Sequence, residues 1–209
     1  HAQAIPSLTS WLTINRACNL RCGWCYAQMT EFSRNDDMRL ETAQESIQLL
    51  KDLSLDSVIL IGGEPTIHPH FLDIVQMIVN AGMKAYLVTN AIRFSNKRFL
   101  DEALSAGISS ITISFKAADQ ESYRKATGRN AFSKALQAIR NISDSGISHV
   151  VNVTVCEEMI KSFDRMIEVV AQSGARAFSV DTGKPVLLDG KTSIDGMSDP
   201  KRLAEFFME

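Results

Sequence analysis

Short apolar, β-branched runs alternate with longer amphipathic stretches along almost the whole chain, and that alternation leaves few architectures open. Strands that all point one way need a long crossover each time, and a helix laid on the sheet is the usual solution. Six such units can be marked. Ser10 to Ile14 is the first run, followed by a helical pattern from Leu40 to Leu53 in which Leu40, Ala43, Ile47, Leu50 and Leu53 share a face. Ser57 to Ile61 precedes a helix over Phe71 to Asn80, and Lys84 to Val88 precedes one from about Asn96 to Ser105, closed by Gly107. Ile108 to Phe115 leads to a short helix capped by Asp119 and running through Arg124, then a longer one from Phe132 to Ser143. His149 to Val155, a helix over Lys161 to Ser173, and a strand over Ala175 to Val180 complete the set, and Asp199-Pro200 opens a last helix.

Repeated right-handed βα units curl a sheet, and six fall short of the eight that close a barrel. The predicted fold is therefore α/β, a partial (β/α)6 TIM-like barrel built on a parallel sheet. No Pro/Gly-rich linker divides residues 1-209, so a single domain is expected, with Gly183 to Ser198 its one long irregular segment. An apolar share of 45% suffices for a sizeable core. The net charge of -2 supplies no basic footprint for nucleic acid or for a membrane surface. No apolar stretch approaches the ~20 residues of a membrane span and no signal peptide is evident, so a cytoplasmic protein is expected. The chain opens on His1 rather than Met, which points to a leader, tag or natural segment removed upstream.

Ligands in parallel α/β folds sit at the carboxyl ends of the strands, where the loops converge. Polar or metal-binding residues follow every predicted strand: Cys18, Cys22 and Cys25 after the first, Gly62-Gly63-Glu64-Pro65 after the second, Thr89-Asn90 after the third. Ser114 and Lys116 lie late in the fourth, Asn152, Thr154 and Cys156 along and after the fifth, and Asp181 after the sixth. One shared site is the economical reading. The glycine pair lets backbone approach a ligand closely, because a Cβ at either position would crowd it.

Of four cysteines, three fall within Cys18-Asn19-Leu20-Arg21-Cys22-Gly23-Trp24-Cys25, with no fourth ligand beside them. An iron-sulfur cube usually takes four cysteines, so three leave one iron free to bind something other than protein. Structural zinc completed by His68 or His70 is the competing arrangement, but a dedicated zinc site usually shows two paired spacings, and Cys22-x2-Cys25 is matched by no second Cys-x2-Cys pair. His68 and His70 flank Pro69 at a helix start and read as exposed capping residues. Cys156 reads either as a small buried hydrophobe or as a hydrogen-atom donor at the site mouth.

With its Cys-x3-Cys-x2-Cys loop, the aromatic Trp24 before the third cysteine and Gly-Gly-Glu-Pro one βα unit later, the chain resembles the radical S-adenosylmethionine (SAM) superfamily. The resemblance implies a [4Fe-4S] cluster on Cys18, Cys22 and Cys25, whose remaining iron is chelated by the methionine end of SAM. It implies Trp24 near the adenine, and Gly62, Gly63, Glu64 and Pro65 receiving the methionine amino group. Ser114-Phe115-Lys116 is similar to an Asp-x-Lys element of the glycyl-radical-activating branch, with Ser in place of Asp. By that likeness Lys116 meets the SAM carboxylate and Ser114 a ribose hydroxyl, while Asn90 and Asn152 are further SAM contacts.

The implied activity is reductive cleavage of SAM to a 5′-deoxyadenosyl radical that takes a hydrogen atom from a substrate. The loop style is similar to enzymes that modify ribosomal peptides or proteins, many of which carry a cysteine-rich C-terminal domain. No cysteine follows Cys156, so the expectation is either a radical SAM core that ends before such a domain, the favoured reading, or a stand-alone core enzyme. A reducing partner such as flavodoxin or ferredoxin is implied. The alternatives are a glycyl-radical activase, an enzyme acting on small molecules or nucleosides, and a non-catalytic iron-sulfur electron-transfer module.

Overall fold

The computed structural model describes residues 7–25, 33–155, 157–182, 186–188 and 191–193. Strands β1 (Thr9–Thr13), β2 (Ser57–Ile61), β3 (Lys84–Thr89), β4 (Ile108–Phe115), β5 (His149–Val155) and β6 (Phe178–Thr182) form one sheet in sequence order. All five pairings are parallel. The end strands β1 and β6 have a partner on one side only, so the barrel is partial, as the repeat count implied.

The crossovers carry α1 (Leu40–Asp52), α2 (Phe71–Asn80), α3 (Lys97–Ser105), α4 (Gln120–Thr127), α5 (Phe132–Asp144), α6 (Glu157–Ile160) and α7 (Phe163–Gln172). Local chemistry sets their ends. Asp119 accepts the backbone N–H groups of Glu121 and Ser122, both at 2.9 Å, satisfying donors that the first turn of α4 leaves open. Gly128 ends the same helix at φ +66°, where a Cβ would be strained. That α4 reaches Thr127 rather than Arg124 follows from this glycine stop.

Period-two alternation divides the sheet into two faces. Leu12, Val58, Leu60, Leu87, Ile111 and Val153 point to the helices and are buried, each stabilising the fold by roughly 1.5–3 kcal/mol. Residues of the other parity, among them Trp11, Ile59, Tyr86, Thr112, Asn152 and Asp181, line a groove of about 750 Å³ along the concave inner face. Trp11 is 62% exposed there, which an eight-stranded barrel would not leave open.

Three expectations change. The sixth strand starts at Phe178 rather than Ala175 and includes Asp181, which pairs with Thr154 in register instead of following the strand. Its polar Ser179 and Asp181 disguised the second half, because they sit on the same parity as Asn152. The helix expected from Lys161 is split into α6 and α7, with the Ser162 N–H donating to the Met159 carbonyl at 3.0 Å in the turn between. Within the segment taken as irregular, Val186–Leu188 (β7) and Lys191–Ser193 (β8) pair as an antiparallel hairpin. The helix expected at Asp199-Pro200 lies outside the described residues. Among those residues no helix is long and apolar enough to cross a membrane.

Candidate iron-sulfur and SAM site

The loops after β1 and β2 are bonded to each other along their backbones. Gly63 N–H donates to the Asn15 carbonyl at 3.0 Å, Glu64 N–H donates to the Ala17 carbonyl at 2.8 Å, and the buried Asn15 amide donates to the Glu64 carbonyl at 2.8 Å. A Cβ on Gly62 would lie 2.1 Å from Asn15 Oδ1, and one on Gly63 would lie 2.3 Å from the carbonyl oxygens of Arg16 and Ala17. The expectation for this pair was close approach by a ligand; the close approach that the structure shows is by the chain's own Asn15, Arg16 and Ala17.

That loop is held from the other side by α4. Arg21 N–H donates to the Thr127 carbonyl at 2.9 Å and Gly23 N–H to the Ala126 carbonyl at 3.2 Å. Between these two supports stand Cys18, Cys22 and Cys25, none of them in a disulfide and all partly buried. The Leu20 N–H donates to Cys18 Sγ at 3.4 Å, and Trp24 is half-buried against the core.

Burial pushes the Cys18 thiol up to about 12; the Leu20 hydrogen bond opposes this, and the charges of Glu64, Cys22 and Cys25 add to it. Burial also pushes Cys22 up, against the pull of the Lys116 ammonium. In the metal-free chain both are protonated at neutral pH, so loading a metal must release their protons. Among the described residues no three ligating side chains converge on a single-ion position. Tetrahedral zinc requires such convergence, whereas a cube gives each thiolate its own iron. Three cysteines outside any disulfide in one supported loop fit the cluster.

Glu64 is turned into the protein. It is 1% exposed, and its carboxylate accepts the Thr66 N–H (3.1 Å), the Thr66 and Thr89 hydroxyls (2.6 Å each) and the Asn90 N–H (2.8 Å). Burial pushes its carboxyl above the ordinary value while these four donors pull it down. Asn90 continues the chain of bonds, its amide donating to Asn19 Oδ1 at 2.7 Å inside the cysteine loop. Ala91, buried beside it, takes a left-handed φ of +60°. Arg93 lies 3.6 Å over the Phe99 ring and donates to the Thr66 carbonyl.

Ser114 and Lys116 are bonded to each other, the ammonium donating to the hydroxyl, and Lys116 is 8% exposed. Asn152 donates to Ser179 Oγ at 2.9 Å and Asp181 Oδ2 at 3.0 Å, which joins β5 to β6 on the inner face. The groove lined by Asn152 and Asp181 has no cysteine in its wall, so it is the inner face below the cysteine loop rather than the loop's own surroundings.

His68 is a correction. It is 2% exposed: Nδ1 accepts the His70 N–H at 3.0 Å, so Nε2 carries the proton donated to the Met38 carbonyl, also at 3.0 Å. Only His70 is exposed, where it meets Asp73 at 3.0 Å. Cys156 lies outside the described residues. Asn15, Asn19, Arg93 and Tyr123 escaped the sequence reading; the only signal was a polar Asn15 at the mouth of an apolar run.

The model of the radical SAM superfamily matches residues 12–173 of the chain. A probable GTP 3′,8-cyclase of Thermoplasma volcanium is 26% identical over 176 residues, which cover 81% of this chain and 52% of that protein. The AdoMet-dependent heme synthase of Methanosarcina barkeri is 23% identical over 205 residues, covering 98% and 58%. Streptococcus suis SuiB bound to its precursor peptide SuiA superposes with a TM-score of 0.78 at 18% identity, over 97% of this chain and 45% of that one. AnSMEcpe with bound AdoMet and a peptide gives 0.76 at 17% identity, over 96% and 58%. The chain thus spans a little over half the length of these curated relatives.

Proposed function

The chain belongs to the radical SAM superfamily, whose cofactors are a [4Fe-4S] cluster and SAM, and from that premise we propose that Cys18, Cys22 and Cys25 hold the cluster in an enzyme that abstracts hydrogen from a peptide. The observation that carries the reading is the three-thiol loop, supported on both sides by backbone hydrogen bonds. When bound, the cluster supplies the electron that cleaves SAM to methionine and a 5′-deoxyadenosyl radical.

The residues around it bind and orient. Lys116 is a buried ammonium whose hydrogen-bond partner among the described residues is the neutral Ser114 hydroxyl, and a carboxylate is the partner that would balance its charge. Gly62 to Pro65 meet the methionine amino group through backbone, because the Glu64 carboxylate already accepts four hydrogen bonds. Trp24 packs at the adenine, and Asn90 and Asn152 border the nucleoside. Ser114 serves the ribose once Lys116 turns to the carboxylate. Cys156 is the candidate hydrogen-atom donor. Trp11, Ile59 and Tyr86 are the large side chains of the open inner face, on which a substrate would settle.

A peptide substrate is supported by the Cys-Asn-Leu-Arg-Cys loop and by the peptide-bound state of the two solved structures of like fold. A nucleotide substrate is the second reading, favoured by the relatives named GTP 3′,8-cyclase. Deuterium transfer separates them. Deuterated candidate peptides are expected to label the 5′-deoxyadenosine formed under reductant; label arriving only from deuterated GTP replaces the peptide reading with the nucleotide one.

A further inference from the structure

Tyr123 is fully buried, and its hydroxyl has no hydrogen-bond partner among the described residues. Leaving such a group unpaired costs roughly 1–3 kcal/mol, and phenylalanine would fill the same space without that cost. Packing does not explain the oxygen.

The ring is fixed in place. Phe115 lies 6.2 Å away at 51° and Phe132 6.0 Å away at 60°, both tilted aromatic contacts, so the hydroxyl points where the backbone of α4 aims it. Thr127, one turn on, donates its hydroxyl to the Tyr123 carbonyl at 2.7 Å, and Thr127 and Ala126 are the residues on which the cysteine loop rests. The helix that presents Tyr123 is therefore the helix that positions Cys22. The ionisable groups that act on the phenol are Cys22, Glu64 and Cys18, and burial together with these keeps it protonated as a donor. Glu64 already accepts from four donors, whereas a thiolate or sulfide sulfur can take several hydrogen bonds at once.

We infer that the Tyr123 hydroxyl donates a hydrogen bond to a sulfur of the bound cluster, either the Cys22 thiolate or the sulfide beside it, and so raises the cluster's reduction potential. The inference rests on the cysteine assignment made above. Reduction adds one negative charge that spreads over the sulfurs, and a donor aimed at one of them stabilises the reduced form more than the oxidised one. Tyr123 is a positioning residue in this account, and it touches neither SAM nor substrate.

Tyr123→Phe removes one oxygen and leaves the ring. The anaerobically reconstituted parent and variant are compared by iron and sulfide content, by redox titration followed with electron paramagnetic resonance, and, without metal, by denaturant unfolding. The expected result is equal iron and sulfide, a more negative midpoint in the variant, and a metal-free variant at least as stable as its parent. At the parent's midpoint the reduced-to-oxidised ratio should fall by up to about tenfold, which is about 59 mV for one electron. A full cluster with an unmoved midpoint overturns the inference, and so does a metal-free variant less stable than the parent, since the hydroxyl would then be bonded within the protein. If neither chain takes up iron, the cysteine assignment itself fails and the inference with it.

Discussion

Glu64 joins three loops at one point, for its two oxygens collect donors from Thr66, Thr89 and Asn90, and its backbone carbonyl takes the Asn15 amide. Glu64→Gln keeps the shape but turns one acceptor into a donor, which must face either the Asn90 N–H or the two threonines. Loss of about 1–3 kcal/mol of unfolding free energy is expected in a denaturant titration of the metal-free protein; an unchanged midpoint would show that the network can rearrange. His68 makes a second prediction. Burial lowers its pKa below the ordinary 6.5, so the folded chain resists the proton that the unfolded chain accepts. Its contribution is complete above 6.5 and is lost as pH falls through the lower folded value, and stability measured from about pH 7 to 5 should decline less steeply in His68→Gln. Neither burial was legible in the sequence, where Glu64 and His68 both sit in a Gly/Pro-rich turn; only long-range packing puts the turn inside.

At the scale of elements, the loop after β1 is positioned by two neighbours, the turn after β2 and the end of α4. Gly63→Ala tests the first. Its Cβ would sit 2.3 Å from two carbonyl oxygens, and backbone atoms cannot rotate away as a side chain can. The expected outcome is a loss of about 1–3 kcal/mol together with a lower iron content after reconstitution; parent-like iron content would mean that the cysteine loop does not depend on this contact. Helix ends were legible where a cap such as Asp119 or a stop such as Gly107 writes them into the sequence, whereas the stop at Gly128 was overlooked and α4 was expected to end at Arg124. The bounds of α2 and β5 were expected as found. The sixth strand slipped because its groove-facing residues are polar, and the β7–β8 hairpin was missed because three-residue strands carry too little periodicity to register.

Across the whole molecule, six parallel strands with free ends leave a concave inner face open along one side and bring the strand-end loops together at one rim. This much was legible from repeat count and strand polarity. Which side chains are occupied with each other was less so: Asn152 is bonded to Ser179 and Asp181, pairings set by sheet register rather than by neighbouring sequence. The account depends on a three-cysteine cluster able to reduce SAM. Its most direct test is anaerobic reconstitution followed by reductant and SAM, with iron, sulfide and 5′-deoxyadenosine all quantified in the parent and in Cys22→Ala. The parent should bind about four irons and four sulfides and release 5′-deoxyadenosine, and the variant should form none. Zinc in place of iron, or a full cluster that leaves SAM intact under reductant, would contradict it.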